Sequence, residues 1–292
     1  FYIDGLNNTI TNNFVLFSLG YGIRIVGSKN TVTNNTVESN LKHGVSIHGS
    51  NSTVTNNVIK SNDEHGIYID GSNSTLKHNT IESNLGCGIK IENGKNNLVK
   101  KNIIRNNGAG LKCEASTKGN IIYQNLFICN TIQALDYGSN KWDDGYPYRP
   151  LEERGGGNYW SDCIYTDIYS GVDQDKHGPN CSPLPDGICD APYTIYVNSK
   201  DNYPLFLIQS ISQKPEDLSK IDYGTKVTIT ATVLKGVHVE EAKIHVDFDS
   251  KHEAIPMKIY NSWMNGTIPA KPYCTTVRYN VSARAYCANW LS

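Results

Sequence analysis

Gly44-Val45-Ser46-Ile47-His48 and, 22 residues on, Gly66-Ile67-Tyr68-Ile69-Asp70 are two rungs of one column. The same Gly followed by alternating apolar residues stands at Gly22-Ile23-Arg24-Ile25, Gly88-Ile89-Lys90-Ile91 and Gly110-Leu111-Lys112-Cys113. A second column repeats Asn-x-x-x-Ser-Asn at Asn35–Asn40, Asn57–Asn62 and Asn79–Asn84, with looser copies at Asn102–Asn107 and Asn125–Asn130. Repetition at a period of 22 to 23 residues denotes a solenoid, and this unit is too short for two packed helices. Its apolar residues alternate, as strands do: Thr31-Val32-Thr33, Thr53-Val54-Thr55, and the Val37, Ile59, Ile81, Ile104 and Phe127 column. The Leu-x-x-Leu-x-Leu signature of a leucine-rich horseshoe is absent. Three short strands per repeat, separated by Gly and Asn bends, describe one coil of a right-handed parallel β-helix. Like residues then stack about 4.8 Å apart. The marker Asn is expected in the left-handed region, its amide bonding to the copies above and below.

The chain has 292 residues, 27 basic and 28 acidic. Balanced charge without a basic stripe argues against nucleic acid as a partner. No apolar run approaches the roughly 20 residues of a membrane span, and the opening Phe1 reads as a mature or trimmed product. Eight cysteines fit an oxidising compartment. Cys274 with Cys287, then Cys181 with Cys189, are the first pairings to expect, although connectivity is not deducible from spacing. Asn7, Asn34, Asn51, Asn73, Asn180, Asn265 and Asn280 carry glycosylation sequons; Asn-Ser-Thr is equally good turn chemistry.

Residues 1–137 make about six coils. From 138 to 205 the period fails, and Gly157-Asn158-Tyr159-Trp160-Ser161-Asp162 is followed by Asp173-Gln174-Asp175, Asp186-Gly187-Ile188-Cys189-Asp190 and Asp201-Asn202-Tyr203-Pro204-Leu205. This wording resembles the closing segment of NosD-like right-handed β-helix surface proteins, common in archaea, except that Lys176–Pro185 splits the acidic run. The resemblance implies a β-helix at the cell surface and no settled catalytic activity. Residues 206–292 carry alternating segments such as Gly224–Val233, Glu241–Phe248 and Val277–Ala285 at sandwich-like spacing, and their order resembles immunoglobulin-like or fibronectin-III-like modules. The expected architecture is all-β: a parallel β-helix, an irregular closing segment and a β-sandwich.

Three constellations could carry chemistry. Asp173, Asp175, Asp186 and Asp190 are closely spaced carboxylates of the kind that hold Ca²⁺ through oxygen ligands. His43, His65 and Cys87 stack in the column before the Gly and could meet on zinc or copper, although such a pair of imidazoles needs no metal. Lys90 and Lys112, with His48, Asp70, Glu92 and Glu114 two residues along, make an outward ladder. Its charges read as mutually neutralising, with Tyr2 and Tyr68 as the aromatic residues of that face. No Gly-x-Ser-x-Gly, phosphate loop or dinucleotide fingerprint is present. On these grounds the chain is expected to be an extracellular, calcium-stabilised, non-enzymatic surface protein with no catalytic residues: a coat, adhesin or filament subunit. Its partners would be copies of itself, other surface proteins or carbohydrate. The alternative is a carbohydrate-active enzyme or carbohydrate binder using the outer face of the first sheet.

Overall fold

The structure, a computed structural model, describes residues 1–145, 156–163, 188–195, 199–216, 224–248, 251–271 and 277–285. They belong to two compact units, the first holding the repeats and most of the closing segment to Leu205, the second essentially Phe206–Tyr286.

The first unit is a parallel β-helix of about six turns, with three parallel sheets of seven strands each. The first sheet stacks Tyr2–Asp4, Ile23–Val26, Val45–His48, Ile67–Asp70, Cys87–Ile91, Ala109–Cys113 and Ile132–Asp136. Its register pairs Ile23 with Val45, Ile67 with Ile89 and Leu111 with Ala134, so each repeat sits on the last without slippage. One coil sends Ile67, Ile69, Leu76 and Ile81 inward, all fully buried, as are their counterparts from Ile23 to Phe127. Burying each such side chain is worth about 1.5–3 kcal/mol. Apolar columns therefore hold the stack together.

Polar ladders at the three bends fix its register. Asn35, Asn57, Asn79, Asn102 and Asn125 are buried, and each donates its backbone N–H to the Oδ1 of the Asn one coil on at 2.9–3.1 Å. The left-handed backbone lies one residue earlier than expected: Asn34, Asn56, His78, Lys101 and Gln124 have φ of 53° to 56°. That bend turns the next side chain into the core, and this explains why the Asn that follows is the buried one. The residue at the bend itself is free to vary. Asn7, Asn34, Asn51 and Asn73 are such left-handed, exposed positions, where Asn suits the backbone without being required by it. The Gly column is forced by packing: a Cβ on Gly44 would come within 2.6 Å of Ile59 Cγ2.

The closing segment is less irregular than its composition suggests. Ser139–Lys141 completes the second sheet and Tyr159–Trp160 the third. Asn158 is the last Asn of its ladder, and it donates to the carboxylate of Asp201, its N–H at 2.6 Å and Nδ2 at 3.3 Å from Oδ2. Trp160 Nε1 and the Tyr203 N–H donate to the same carboxylate. A ladder whose every rung donates forward must end on an acceptor, and the Asp201 carboxyl group supplies one. A second ladder ends likewise, Asn140 Nδ2 donating to Asp136 Oδ1 at 2.8 Å. The apolar end is covered by Trp160, stacked on Phe127 at 4.4 Å and on Tyr193 at 4.3 Å. The Gly-Asn-Tyr-Trp and Asp-Asn-Tyr-Pro-Leu wording is thus a cap.

The second unit has two antiparallel sheets, one of Ile208–Lys214, Val227–Val233, Trp263–Ile268 and Lys258–Ile259, the other of Lys251–Pro256, Val239–Phe248 and Arg278–Ala285. This is compatible with the expected β-sandwich. No helix among the described residues is long and apolar enough to cross a membrane.

Candidate functional site on the first sheet

In the outward column of the first sheet, Ser46 is the small residue between Arg24 and Tyr68. The Tyr68 ring folds over it, leaving Ser46 fully buried, and stacks on His43 at 4.9 Å. His43 in turn stacks on His65, also at 4.9 Å. His43 Nδ1 faces both Glu64 Oε2, at 2.8 Å, and the His65 N–H, at 3.4 Å; the shorter contact to the carboxylate sets the tautomer, with the proton on Nδ1 and the Nε2 lone pair left for another partner. Burial lowers His43 below the ordinary histidine value, outweighing the pull of Glu64, with Lys90, His48 and Lys42 adding to the fall. His65 is pushed down to about 4, by burial first and then by His43, Lys90 and Lys112. Both imidazoles are therefore neutral at pH 7. They differ in role, since His65 Nδ1 accepts the Cys87 N–H at 2.9 Å and so carries its proton on Nε2.

Around this stack the charges are fixed. Lys90 Nζ reaches Glu92 at 2.7 Å and Glu114 at 3.2 Å, and Lys112 reaches Glu114 at 2.8 Å. Burial acts against each charge, but hydrogen bonds to the two glutamates raise Lys90, and those from Lys112 and Lys90 lower Glu114. Lys90 also lies 5.9 Å from the Tyr68 ring centre and Lys112 5.4 Å from that of Tyr137. His48 stands between Ser46 Oγ, 3.3 Å from Nε2, and Asp70 Oδ2, 3.6 Å from Nδ1. The outward ladder expected from sequence thus merges with the His column into one asymmetric face. It holds a base at His43, fixed cations and carboxylates, and tyrosine platforms. Glu64 and Arg24 carry no local motif that marks them. Their signal in the sequence is the period itself, which at 22 residues sets Glu64 against Lys42 and Tyr68 against Ser46.

The other expected sites fare differently. Asp173, Asp175, Asp186, Asn180, Cys181, Cys274 and Cys287 lie outside the described residues. Asp190 is half-buried. Cys189 is a thiol, with Sγ 3.7 Å from that of Cys163. Asn280 is exposed, and Asn265 half-buried. A pocket of about 670 Å³ runs along the end of the second sheet past Leu98, Tyr123, Trp142 and Asp143. Asp143 there is committed to Gly145 and Asn202.

The family described as periplasmic copper-binding protein (NosD) matches residues 1–163, more than half of the chain. The chain belongs to the NosD family. No curated protein matches it. Among solved structures, a periplasmic alginate epimerase is similar at 19% identity and TM-score 0.36, over 48% of this chain and 42% of that one. The mannuronan C-5 epimerase A-module of Azotobacter vinelandii follows at 16% and 0.38, over 50% and 55%. The enzymatically active domain of tailspike protein 2 of bacteriophage CBA120 is similar at 12% and 0.37, over 94% and 51%. The chain spans about half the length of these structures.

The family description raises copper, and the His43, His65 and Cys87 column does not fit it. Of the two histidines only His43 keeps a ring nitrogen free to bind, since His65 Nδ1 accepts the Cys87 N–H and its Nε2 then carries the proton. The Cys87 thiol is buried, and burial pushes it up to about 11, away from the thiolate a metal takes. No group of three His, Cys, Asp or Glu converges as a ligand set among the described residues. The expectation of a non-enzymatic scaffold also requires correction. The face read as a regular neutralised ladder is asymmetric and carries a carboxylate-supported imidazole.

Proposed function

We propose that this NosD-family protein acts on a polysaccharide outside the cytoplasm, held along the outer face of the first sheet, by abstracting a proton from a sugar carbon. The observation that carries this reading is the Glu64–His43 pair beneath the Tyr68 ring. A neutral imidazole with a free Nε2 is a competent general base at neutral pH. Charge developing on the sugar would find Lys90 beside the same ring, and tyrosine faces suit the apolar faces of pyranose rings. Hydrolysis by paired carboxyl groups is less well supported, because its acid must hold a proton near neutrality. Glu114 is held in the opposite direction by its lysines. The carboxyl that burial pushes up to about 8, Asp201, is locked in the cap.

The test is turnover of polysaccharides with acidic and neutral sugars, followed by product analysis for unsaturated or epimerised residues. His43→Gln should lose about 10²–10⁴-fold, the range for removing a general base, with the melting temperature within a few degrees of the parent. Activity equal to the parent in that folded variant would refute the assignment of His43. We also propose calcium for Asp173, Asp175 and Asp186 with Asp190, on the density of carboxylates in that stretch. Chelation should then lower the melting temperature; an unchanged value would refute it.

A further inference from the structure

On the outer face of the first sheet, Lys90 and Lys112 are matched by glutamates; Arg24 on that face and Lys42, in the bend that precedes Val45–His48, are not. The Arg24 guanidinium lies 5.0 Å from the centre of the Tyr21 ring and 5.9 Å from that of Tyr2. Lys42 Nζ lies over the same Tyr21 ring, at 5.2 Å. Neither forms a side-chain hydrogen bond or ion pair with any described residue, and Arg24 Nε is buried with no acceptor. The nearby carboxylates do not neutralise them. Glu64, one coil above Lys42, is engaged by His43, and Asp4 on the adjacent strand makes no ion pair with Arg24. Two like charges are thus gathered about one ring, one of them half-buried, with an unmet hydrogen-bond donor. Such an arrangement costs free energy unless an anion completes it. The rings hold the guanidinium by cation–π contact, and with Nε buried it is the Nη end that an incoming ligand would meet.

We infer that Arg24 and Lys42, braced by Tyr21, form an anion subsite that takes the carboxylate of an acidic sugar flanking the sugar at His43. This inference rests on the polysaccharide reading above and names its substrate class as a polyuronate. A guanidinium fork matches a planar carboxylate through two parallel N–H bonds. Tyr21 and His43 are themselves in edge contact, with ring centres 5.4 Å apart. The subsite therefore adjoins the proposed base.

The test is calorimetric binding of a defined oligouronate, its carboxyl-reduced neutral form and a sulfated glycan to the full chain. Arg24→Gln, Lys42→Gln and Arg24→Lys are measured beside the parent, each checked by circular dichroism and thermal melting. The parent should bind the oligouronate at least tenfold more tightly than either other ligand. Arg24→Gln and Lys42→Gln should each weaken that binding about tenfold and flatten its salt dependence, while Arg24→Lys retains part of it. Oligouronate binding unchanged in folded Arg24→Gln would overturn the inference, as would equal binding of the neutral form or preference for the sulfated glycan. Binding of neutral glycan that is lost in Tyr68→Ala would overturn the subsite alone and leave the polysaccharide reading standing. Absence of binding to all three would overturn both.

Discussion

At the scale of single residues, the chemistry of this face follows from which side chain is small. Ser46 leaves room for Tyr68 to drop onto His43, and the stack desolvates both imidazoles. That desolvation has a consequence for stability. His65 titrates at about 4 in the folded chain against an ordinary 6.5, so the unfolded chain binds the proton more readily. Its contribution is present in full above pH 6.5 and is lost as the pH falls from 6.5 to 4. The melting temperature should decline across that window. His65→Gln should flatten the decline, whereas Glu114→Gln should act at lower pH, because Glu114 is shifted below the ordinary carboxylate value. A melting temperature constant between pH 6.5 and 4, or a decline unaltered in His65→Gln, would count against a buried neutral His65. The same depression of His43 predicts that turnover persists below the ordinary histidine pKa.

At the scale of elements, the ladders and their caps are the devices that set the length of the β-helix. Asp201 accepts from Asn158, Trp160 and Tyr203, and Gly157 is the space it needs, since a Cβ there would overlap the carboxylate. Asp201→Ala leaves those buried donors without an acceptor, at about 1–3 kcal/mol each. That is a large share of the roughly 5–15 kcal/mol that holds a typical protein folded. Gly157→Ala should act similarly by steric overlap, both lowering the melting temperature by many degrees. A cap of this kind was only partly legible. The period and the inward columns could be read directly, because stacking brings like positions together whatever the side chains are. The acceptor role of Asp201 could not, since 43 residues separate it from the rung it ends. Sequence places the left-handed bend one residue late because Asn34, like Asn35, is an Asn; Lys101 and Gln124 at the same position show that the buried amide is the constrained one.

At the scale of the molecule, the β-helix is a rack on which side chains from successive coils meet at fixed spacing, and the proposed function resides in the face where the repeats differ. Arg24, Ser46, Tyr68, Lys90 and Lys112 occupy one column and no two adjacent members except the lysines are alike. A scaffold has no need of that variety, whereas a surface that distinguishes successive sugars does. This part of the account was hidden from composition, because the charges there sum to near neutrality while their positions do not. Hydroxyl-radical footprinting of the full chain with and without saturating oligouronate tests the central claim most directly. The account predicts protection of Tyr21, His43 and Tyr68, with outward residues of the second and third sheets such as Ile121 and Phe14 unaffected. Protection confined to those other sheets, with Tyr21, His43 and Tyr68 as reactive as in the free protein, would contradict it.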